Sequence, residues 1–373
     1  MSDFYIIGAG INGLLVAREL ASMDASVTVF DKGECGKEAS WAGGGIVSPL
    51  YPWRYPPEIT ALASLAQAFY PALADALINE TGIDPEYEQT GLLMLDAGDE
   101  ADAVQWGKQF NKTMSKVDVA AVYDQEPRLA PGFQTALSMP GVANVRNPRL
   151  CQALVSSLKA MPTVTIAENC PIQHLRISAE RIHALATIRH GKLSEIPVGQ
   201  SQVIVCGGAW SGMLLSNTGY SSDIEPVKGE MLLYKFDAPP INTIVLFDGR
   251  YLIPRRDGHL LVGSTLEYSG FDKDVSQAAR AILKTAAVNM LPELAEIEPI
   301  GQWAGLRPGS KGGIPAIGAV PGIKNLYVNA GQYRNGLVLA PASARLLVDC
   351  VLERESPIDL APYMPKQHSK TTH

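Results

Sequence analysis

Phe4-Tyr5-Ile6-Ile7-Gly8-Ala9-Gly10-Ile11-Asn12-Gly13, continued by an apolar-periodic run and then by Ser26-Val27-Thr28-Val29-Phe30-Asp31, decides the fold. It reads as a strand over 4–7, a glycine turn, a helix over 13–23 and a strand over 26–30, a βαβ unit of about thirty residues. Gly8 permits the tight turn, Gly10 lets backbone approach a pyrophosphate, and Gly13 lets the helix pack on the strand. The helix start, with Ile11 and Asn12, then faces negative charge. Asp31 closes the second strand, where a carboxylate accepts from ribose hydroxyls and repels a 2′-phosphate; Lys32 adjoins it. A lone glycine motif is no more than a tight βα turn. Its place in the first βαβ unit, with the acid in position, predicts a dinucleotide site and disfavours NADP.

Directly after that unit stands Ala39-Ser40-Trp41-Ala42-Gly43-Gly44-Gly45-Ile46-Val47. Its glycines allow close approach of backbone to a flat ligand, and the Ser40 hydroxyl is placed to meet a phosphate; the plainer reading is a flexible loop. Leu62, Leu65, Phe69, Leu73 and Leu77 recur at helical spacing despite Pro71, which predicts a core helix. A helix over 151–158 and β-like runs at 164–167, 182–188 and 203–206 suggest a meander. Short runs at 231–236, 243–247, 251–254 and 260–262, separated by turns such as Asp257-Gly258, predict an antiparallel sheet. A helix over 275–290, a strand over 326–329, a Gly-rich turn and a helix over 337–352 follow. Alternating αβ at both ends around an antiparallel middle implies one domain assembled from distant segments.

Composition narrows the function classes. The 373 residues, 46% hydrophobic and 18% charged, describe a globular enzyme of two interleaved domains. With 31 Lys and Arg against 38 Asp and Glu, the formal charge of −7 and the lack of a dense basic cluster argue against a nucleic-acid partner. Cys35, Cys151, Cys170, Cys206 and Cys350 form no C-x-x-C pair, which indicates a reducing cytoplasm rather than a disulfide framework. The start has no signal-peptide pattern, no stretch reaches the ~18 consecutive apolar residues of a membrane span, and no histidine stands at a metal-ligand spacing. Neither a membrane nor a metal is expected.

Seven stretches, in order along the chain, carry a family resemblance. They are 7–13, 39–47, Pro226-Val227-Lys228-Gly229-Glu230, Tyr251-Leu252-Ile253-Pro254-Arg255, Leu261-Val262-Gly263-Ser264-Thr265, Trp303-Ala304-Gly305-Leu306-Arg307-Pro308-Gly309 and Tyr333-Arg334-Asn335-Gly336-Leu337-Val338-Leu339-Ala340-Pro341. On these residues the chain resembles the flavin amine oxidases of the D-amino-acid oxidase superfamily, and within it the bacterial glycine oxidases of thiamine-thiazole synthesis. The resemblance implies an α/β fold: a discontinuous Rossmann-like FAD-binding domain (1–80, 141–215 and 303–365) and a substrate domain with an antiparallel β-sheet (81–140 and 216–302). A flexible tail over 366–373 is expected.

The resemblance also implies roles. Arg307 clamps the substrate carboxylate, which suits a guanidinium with two parallel N–H donors. Tyr251 meets the same carboxylate, and Arg334 is a second arginine near the active site. Without the motif these would read as a surface Arg, a half-buried strand Tyr, and a cation neutralising phosphate or local acids. Ala39, Ser40, Gly44, Gly45 and Ile46 approach the flavin, and Gln332, Tyr333, Asn335, Gly336, Leu337 and Val338 wrap its ring. The last helix then points its positive end at the ring's N1–C2=O edge. Ile172 matches an adenosine-side backbone contact.

The implied reaction is oxidative deamination of glycine and other small amines. Hydride passes from Cα to flavin N5, the imine hydrolyses or feeds thiazole assembly, and O₂ becomes H₂O₂; positioning does most of the work. No cysteine lies in the 306–308 segment where covalent relatives attach flavin, so FAD is expected to be non-covalent. Ser48, Gly249 and Leu266 depart from the glycine, histidine and methionine of a glycine oxidase of the family, which leaves substrate size open. A D-amino-acid, sarcosine or cyclic imino-acid oxidase or dehydrogenase is the near alternative; a tRNA-modifying flavin module or a non-catalytic flavoprotein scaffold is the distant one. The family often forms homo-tetramers.

Overall fold

The computed structural model describes residues 2–189, 191–220 and 222–366. Beyond Lys366 the expected tail lies outside the described residues. The chain opens with β1 (Phe4–Ile7), α1 (Ile11–Ala21) and β2 (Val27–Phe30), the βαβ unit read from the sequence, with β1 and β2 parallel from Phe4 opposite Val27 to Ile7 opposite Phe30. A one-turn α2 (Ala39–Ala42), the long α3 (Pro57–Thr81) and β3 (Leu92–Leu95) follow. Next come α4 (Glu100–Gln109), β4 (Ser115–Val117), α5 (Val119–Gln125), β5 (Ala136–Met139), α6 (Asn147–Ala160) and β6 (Val164–Ala167). Then β7 (Ile172–Ser178), β8 (Arg181–Arg189), β9 (Lys192–Pro197), β10 (Gln202–Val205) and α7 (Ser211–Leu215) lead to β11 (Glu225–Lys235), β12 (Ile244–Phe247), β13 (Arg250–Pro254) and β14 (His259–Gly263). The end is α8 (Gln277–Met290), β15 (Gly301–Gly309), β16 (Ala316–Ala319), β17 (Leu326–Ala330) and α9 (Gly336–Val351).

Six strands in the order β16-β17-β10-β1-β2-β6 form a Rossmann-like sheet, parallel except at β16. Ile6, Val27, Val29 and Ile204 face the helical layer of α1, α3, α6 and α9. Tyr5, Ile7, Phe30, Val203 and Val205 face the other way, onto Leu175, Ile182 and Leu185 of the small β7-β8-β9 sheet. Burial on both faces is why β1, β2 and β10 are almost continuously apolar.

This arrangement corrects the expected meander. The runs at 164–167 and 203–206 are parallel strands at separate places in the large sheet, whereas β8 is the centre of a different, antiparallel sheet. Short apolar runs carry no record of which sheet receives them. The apolar periodicity of Leu62 to Leu77 becomes α3, the one helix among the described residues long and apolar enough to cross a membrane. Here its buried Leu62, Ala66, Tyr70 and Leu77 join the core beside α9 and α6.

The second sheet has the order β15-β11-β14-β13-β12-β3-β5-β4 and is antiparallel except between β12 and β3. On β13, Leu252 enters the core under α8, while Tyr251 and Ile253 face the opposite side. Ser276 caps α8, its hydroxyl accepting from the Ala279 N–H at 3.0 Å. The Trp303-to-Gly309 motif, which as sequence reads as a Gly/Pro-rich loop, is strand β15, paired with β11 from Gly301 opposite Leu233 to Gly309 opposite Glu225. The 302/303 position of the expected domain boundary falls inside this strand.

Candidate active site

Each glycine of the first turn has a distinct steric reason. Gly8 has φ +106°, and a Cβ there would stand 2.3 Å from the Cys206 carbonyl oxygen. A Cβ on Gly13 would stand 1.9 Å from the Gly8 carbonyl oxygen, so only a bare residue lets α1 start against β1. Gly10 lines two cavities, and a Cβ there would stand 3.1 Å from Ser40 Oγ. The Ile11 N–H, in the first turn of α1, donates to Ser40 Oγ at 2.8 Å, which leaves the hydroxyl proton of Ser40 free to donate. Asp31 accepts from the Ala9 N–H at 2.7 Å and the Gly33 N–H at 3.0 Å. Burial raises the pKa of its carboxyl, against the pull of these two backbone donors.

The two cavities, both open to solvent, meet at this turn and share Gly10, Ala39, Ser40, Cys206 and Gly208. They open beyond the carboxyl ends of β1 and β10, the usual ligand position in an open α/β sheet. Gly8, Asp31, Lys32 and Ile172 line the second, with Trp210 and Met213. The first is lined by Ile11, Asn12, Gly44, Gly45 and Ile46 from the N-terminal part, and by Gln332, Tyr333, Arg334, Gly336, Leu337 and Val338 before and within α9. Tyr251 and Arg307 enter the same cavity from the antiparallel sheet.

Gly13 and Asn335 belong to neither lining. Ser48 lines the first cavity, whereas Gly249 and Leu266 line neither; the Gly249 N–H donates to the Tyr51 hydroxyl at 3.3 Å. Sequence reasoning missed Gly208 and Trp210, although Gly207-Gly208-Ala209-Trp210 follows β10 as the first glycine turn follows β1. It also missed Met231, Leu50 and Asn147 in the first cavity, for which no local pattern exists.

Arg307 is half-buried on β15. Its Nη1 donates to the Lys228 and Thr265 carbonyls, both at 3.2 Å, and its Nη2 to Ser264 Oγ at 2.6 Å. Among the described residues no carboxylate pairs with it. Burial lowers the guanidinium pKa; Tyr251 opposes this and the neighbouring Arg334 charge adds to it. Tyr251 is buried and donates its hydroxyl to Met231 Sδ at 3.3 Å. Arg334 is exposed, beside Tyr333, which holds φ +49°.

The loop over 39–47 is held by its carbonyl oxygens. Asn147 Nδ2 donates to the Ser40 carbonyl at 2.9 Å, Trp303 Nε1 to Ala42 at 2.9 Å, and Gln67 Nε2 to Val47 at 2.9 Å. Side chains from three distant elements thus fix one cavity wall. The N-termini of α1 and α9 both abut the first cavity, and neither Gly10 nor Asn335 caps its helix with a side chain. First-turn N–H groups and two helix dipoles therefore favour negative charge there. Two adjoining cavities, a glycine-lined passage and two helix starts whose own N-cap residues supply no side-chain cap fit a dinucleotide cofactor.

Residues 3–350 match the family described as FAD dependent oxidoreductase, abbreviated DAO. The chain is 50% identical over 360 residues to the glycine oxidase of Pseudomonas aeruginosa, covering 96% of this chain and 97% of that protein. It is 25% identical over 362 residues to the bifunctional protein ThiO/ThiG of Trichormus variabilis, covering 95% of this chain and 53% of that one. Among solved structures, glycine oxidase from Geobacillus kaustophilus superposes with a TM-score of 0.89 at 28% identity, over 99% of each chain.

Proposed function

The chain belongs to the FAD dependent oxidoreductase family, and from that premise we propose that this FAD-dependent amine oxidase deaminates glycine and other small amino acids. Bound FAD supplies the two-electron acceptor, and O₂ is the terminal oxidant, reduced to H₂O₂. The relatives named glycine oxidase support the substrate, and the ThiO/ThiG relative supports a place in thiamine thiazole synthesis.

The observation that carries the reading is Arg307: a guanidinium without a carboxylate partner among the described residues, facing a cavity that fits the cofactor, beside the Tyr251 hydroxyl. We assign to Arg307 and Tyr251 the binding of the substrate carboxylate, which orients Cα toward the cofactor. Arg334, at the same cavity, adds positive charge that draws an anionic substrate in. The chain's contribution is then orientation and exclusion of water.

For the cofactor, we assign the adenosine end to the second cavity with Asp31, Lys32 and Ile172, the pyrophosphate to Gly8, Gly10, Ile11, Asn12 and Gly13, and the ring end to the first cavity. Burial raises the pKa of the Cys206 thiol, which lines both cavities; protonated, it is no nucleophile, which supports non-covalent FAD. We divide the chain into an FAD domain around the six-stranded sheet and a substrate domain around the eight-stranded one. Five free thiols support a reducing cytoplasm, and the family resemblance supports a homo-tetramer.

The test is anaerobic: glycine, sarcosine and D-proline are added separately to the yellow protein and the flavin absorbance is followed. Bleaching by glycine at low concentration is expected. A yellow protein bleached by none of the three would overturn the proposal.

A further inference from the structure

Tyr251, Ile253 and Arg255 alternate along and just beyond β13, so their side chains leave the sheet on one face. That face meets the Gly43-Gly44-Gly45 wall of the first cavity: a Cβ on Gly44 would stand 2.7 Å from Ile253 Cδ1 and 3.1 Å from Tyr251 Cε2. Arg255 lies behind the same wall and is only 3% exposed. Its Nη2 donates to the Gly44 carbonyl at 2.7 Å and its Nη1 to Asn144 Oδ1, while Nε has no partner among the described residues.

Glu86, Glu88 and Asp257 favour its charge at longer range, but among the described residues none of them forms an ion pair with it. Glu86 and Asp257 pair with Arg146, and Glu88 pairs with Arg256. Burial lowers the guanidinium pKa to about 10, which leaves it cationic at neutral pH. A buried guanidinium without a carboxylate is unusual, because removal from water disfavours a lone charge. Holding a carbonyl does not require one. The neighbouring Ser40, Ala42 and Val47 carbonyls are held by the neutral donors Asn147, Trp303 and Gln67. Of these four carbonyls in the loop, the one held by a cation is that of Gly44, which itself lines the cavity.

We propose that Arg255 is a positioning residue with an electrostatic role: it fixes the Gly44 wall of the first cavity and, through that wall, stabilises the negative charge the cofactor gains on reduction. This rests on FAD occupying the first cavity. A cation there raises the reduction potential, because it favours the more negative state.

The experiment compares holoenzymes of wild type, Arg255→Gln, Arg255→Lys and Asn144→Ala. Midpoint potentials are measured by equilibration with redox dyes, FAD dissociation constants by flavin fluorescence, and kcat and KM with glycine. For Arg255→Gln we expect a more negative potential and a kcat lower by roughly tenfold, with KM for glycine changed by less than about threefold. Arg255→Lys is expected to keep the wild-type potential while binding FAD about tenfold more weakly, because the two-pronged grip is lost but the charge stays. Asn144→Ala loosens the grip and leaves the charge, so its potential should not move. An unchanged potential in Arg255→Gln, or an equal shift in Asn144→Ala, overturns the proposal. Should Arg255→Gln fail to retain flavin, Arg255→Lys decides: a wild-type potential supports the role and a shifted one overturns it. The potential needs no amine, so the expected shifts in a protein inactive on glycine would refute only the substrate assignment.

Discussion

The guanidinium of Arg307 and the backbone of Gly229 are in contact across adjacent strands: a Cβ on Gly229 would stand 2.2 Å from both Nη1 and Nη2. Arg307 on β15 opposes Val227 on β11, so Gly229 is its diagonal neighbour, and the bare backbone there is the shelf on which the guanidinium lies. Gly229→Ala should therefore displace Arg307 without touching the cofactor turn. A charge-assisted hydrogen bond contributes about 1.5–3 kcal/mol, so loss of one raises KM for glycine roughly tenfold or more. Steady-state kinetics on a variant with an unaltered flavin spectrum checks this; an unchanged KM would mean that the shelf has no role.

Removing the cation itself should separate substrates by their carboxylate. Arg307→Ala is expected to lower kcat/KM for glycine by about 10²-fold or more, corresponding to two charge-assisted bonds, and to leave oxidation of an amine lacking a carboxylate almost unchanged. Arg307→Lys should recover only part of the loss, because an ammonium cannot offer two parallel donors. Equal losses for both classes of amine would show that Arg307 shapes the cavity rather than binding the carboxylate.

The first turn, the loop over 39–47 and the start of α9 are legible in the sequence because glycine spacing and helical periodicity are local signals. β15 is not. Gly305 and Pro308 are poor strand formers, and β15 exists because Gly305 meets Gly229 and Pro308 meets Pro226 on β11, a pairing between distant segments. The need for glycine at 229 is set by a side chain from the next strand, which no window around 229 contains. Ser40 shows the limit differently. Its hydroxyl is legible as a polar group at the glycine turn, but its partner, the Ile11 N–H, appears only once α2 is folded against α1.

That contact makes its own prediction. The Ser40 hydroxyl accepts from the Ile11 N–H as an N-cap would, although it comes from another element. Ser40→Ala should cost about 1 kcal/mol, the usual effect of losing such a cap, and should weaken FAD binding because the same residue lines both cavities. Thermal unfolding of apo and holo protein separates the two effects: a lower Tm in both and a smaller gain on adding FAD are expected.

Glu38 supplies a pH dependence whose sign can be worked out. One carboxylate oxygen lies 2.9 Å from Lys32 Nζ and the other 2.8 Å from Lys273 Nζ, while Lys32 sits 3.3 Å over the Trp210 ring and Trp210 stacks on Phe271 at 5.4 Å. Glu38 thereby ties the segment carrying Phe271 and Lys273 to the second cavity. Burial raises the pKa of its carboxyl, but hydrogen bonds from Lys273 and Lys32, with their charges, outweigh this and hold it below the usual carboxylate range. With the folded value below the unfolded one, near 4.3, the stabilisation is present above that unfolded value and is lost as pH falls through the folded value. The lysines are about two-fifths exposed, so solvent screening keeps the contribution under about 1 kcal/mol. Glu38→Gln should therefore have a slightly lower Tm than wild type at pH 7, and the gap should begin to narrow as pH falls past the unfolded value of about 4.3, closing as the carboxylate of the folded wild type is neutralised in turn. Tm from flavin fluorescence between pH 7 and 3.5 tests this. A gap that persists unchanged to the acid end would assign the stabilisation to packing of the Glu38 side chain instead of its charge.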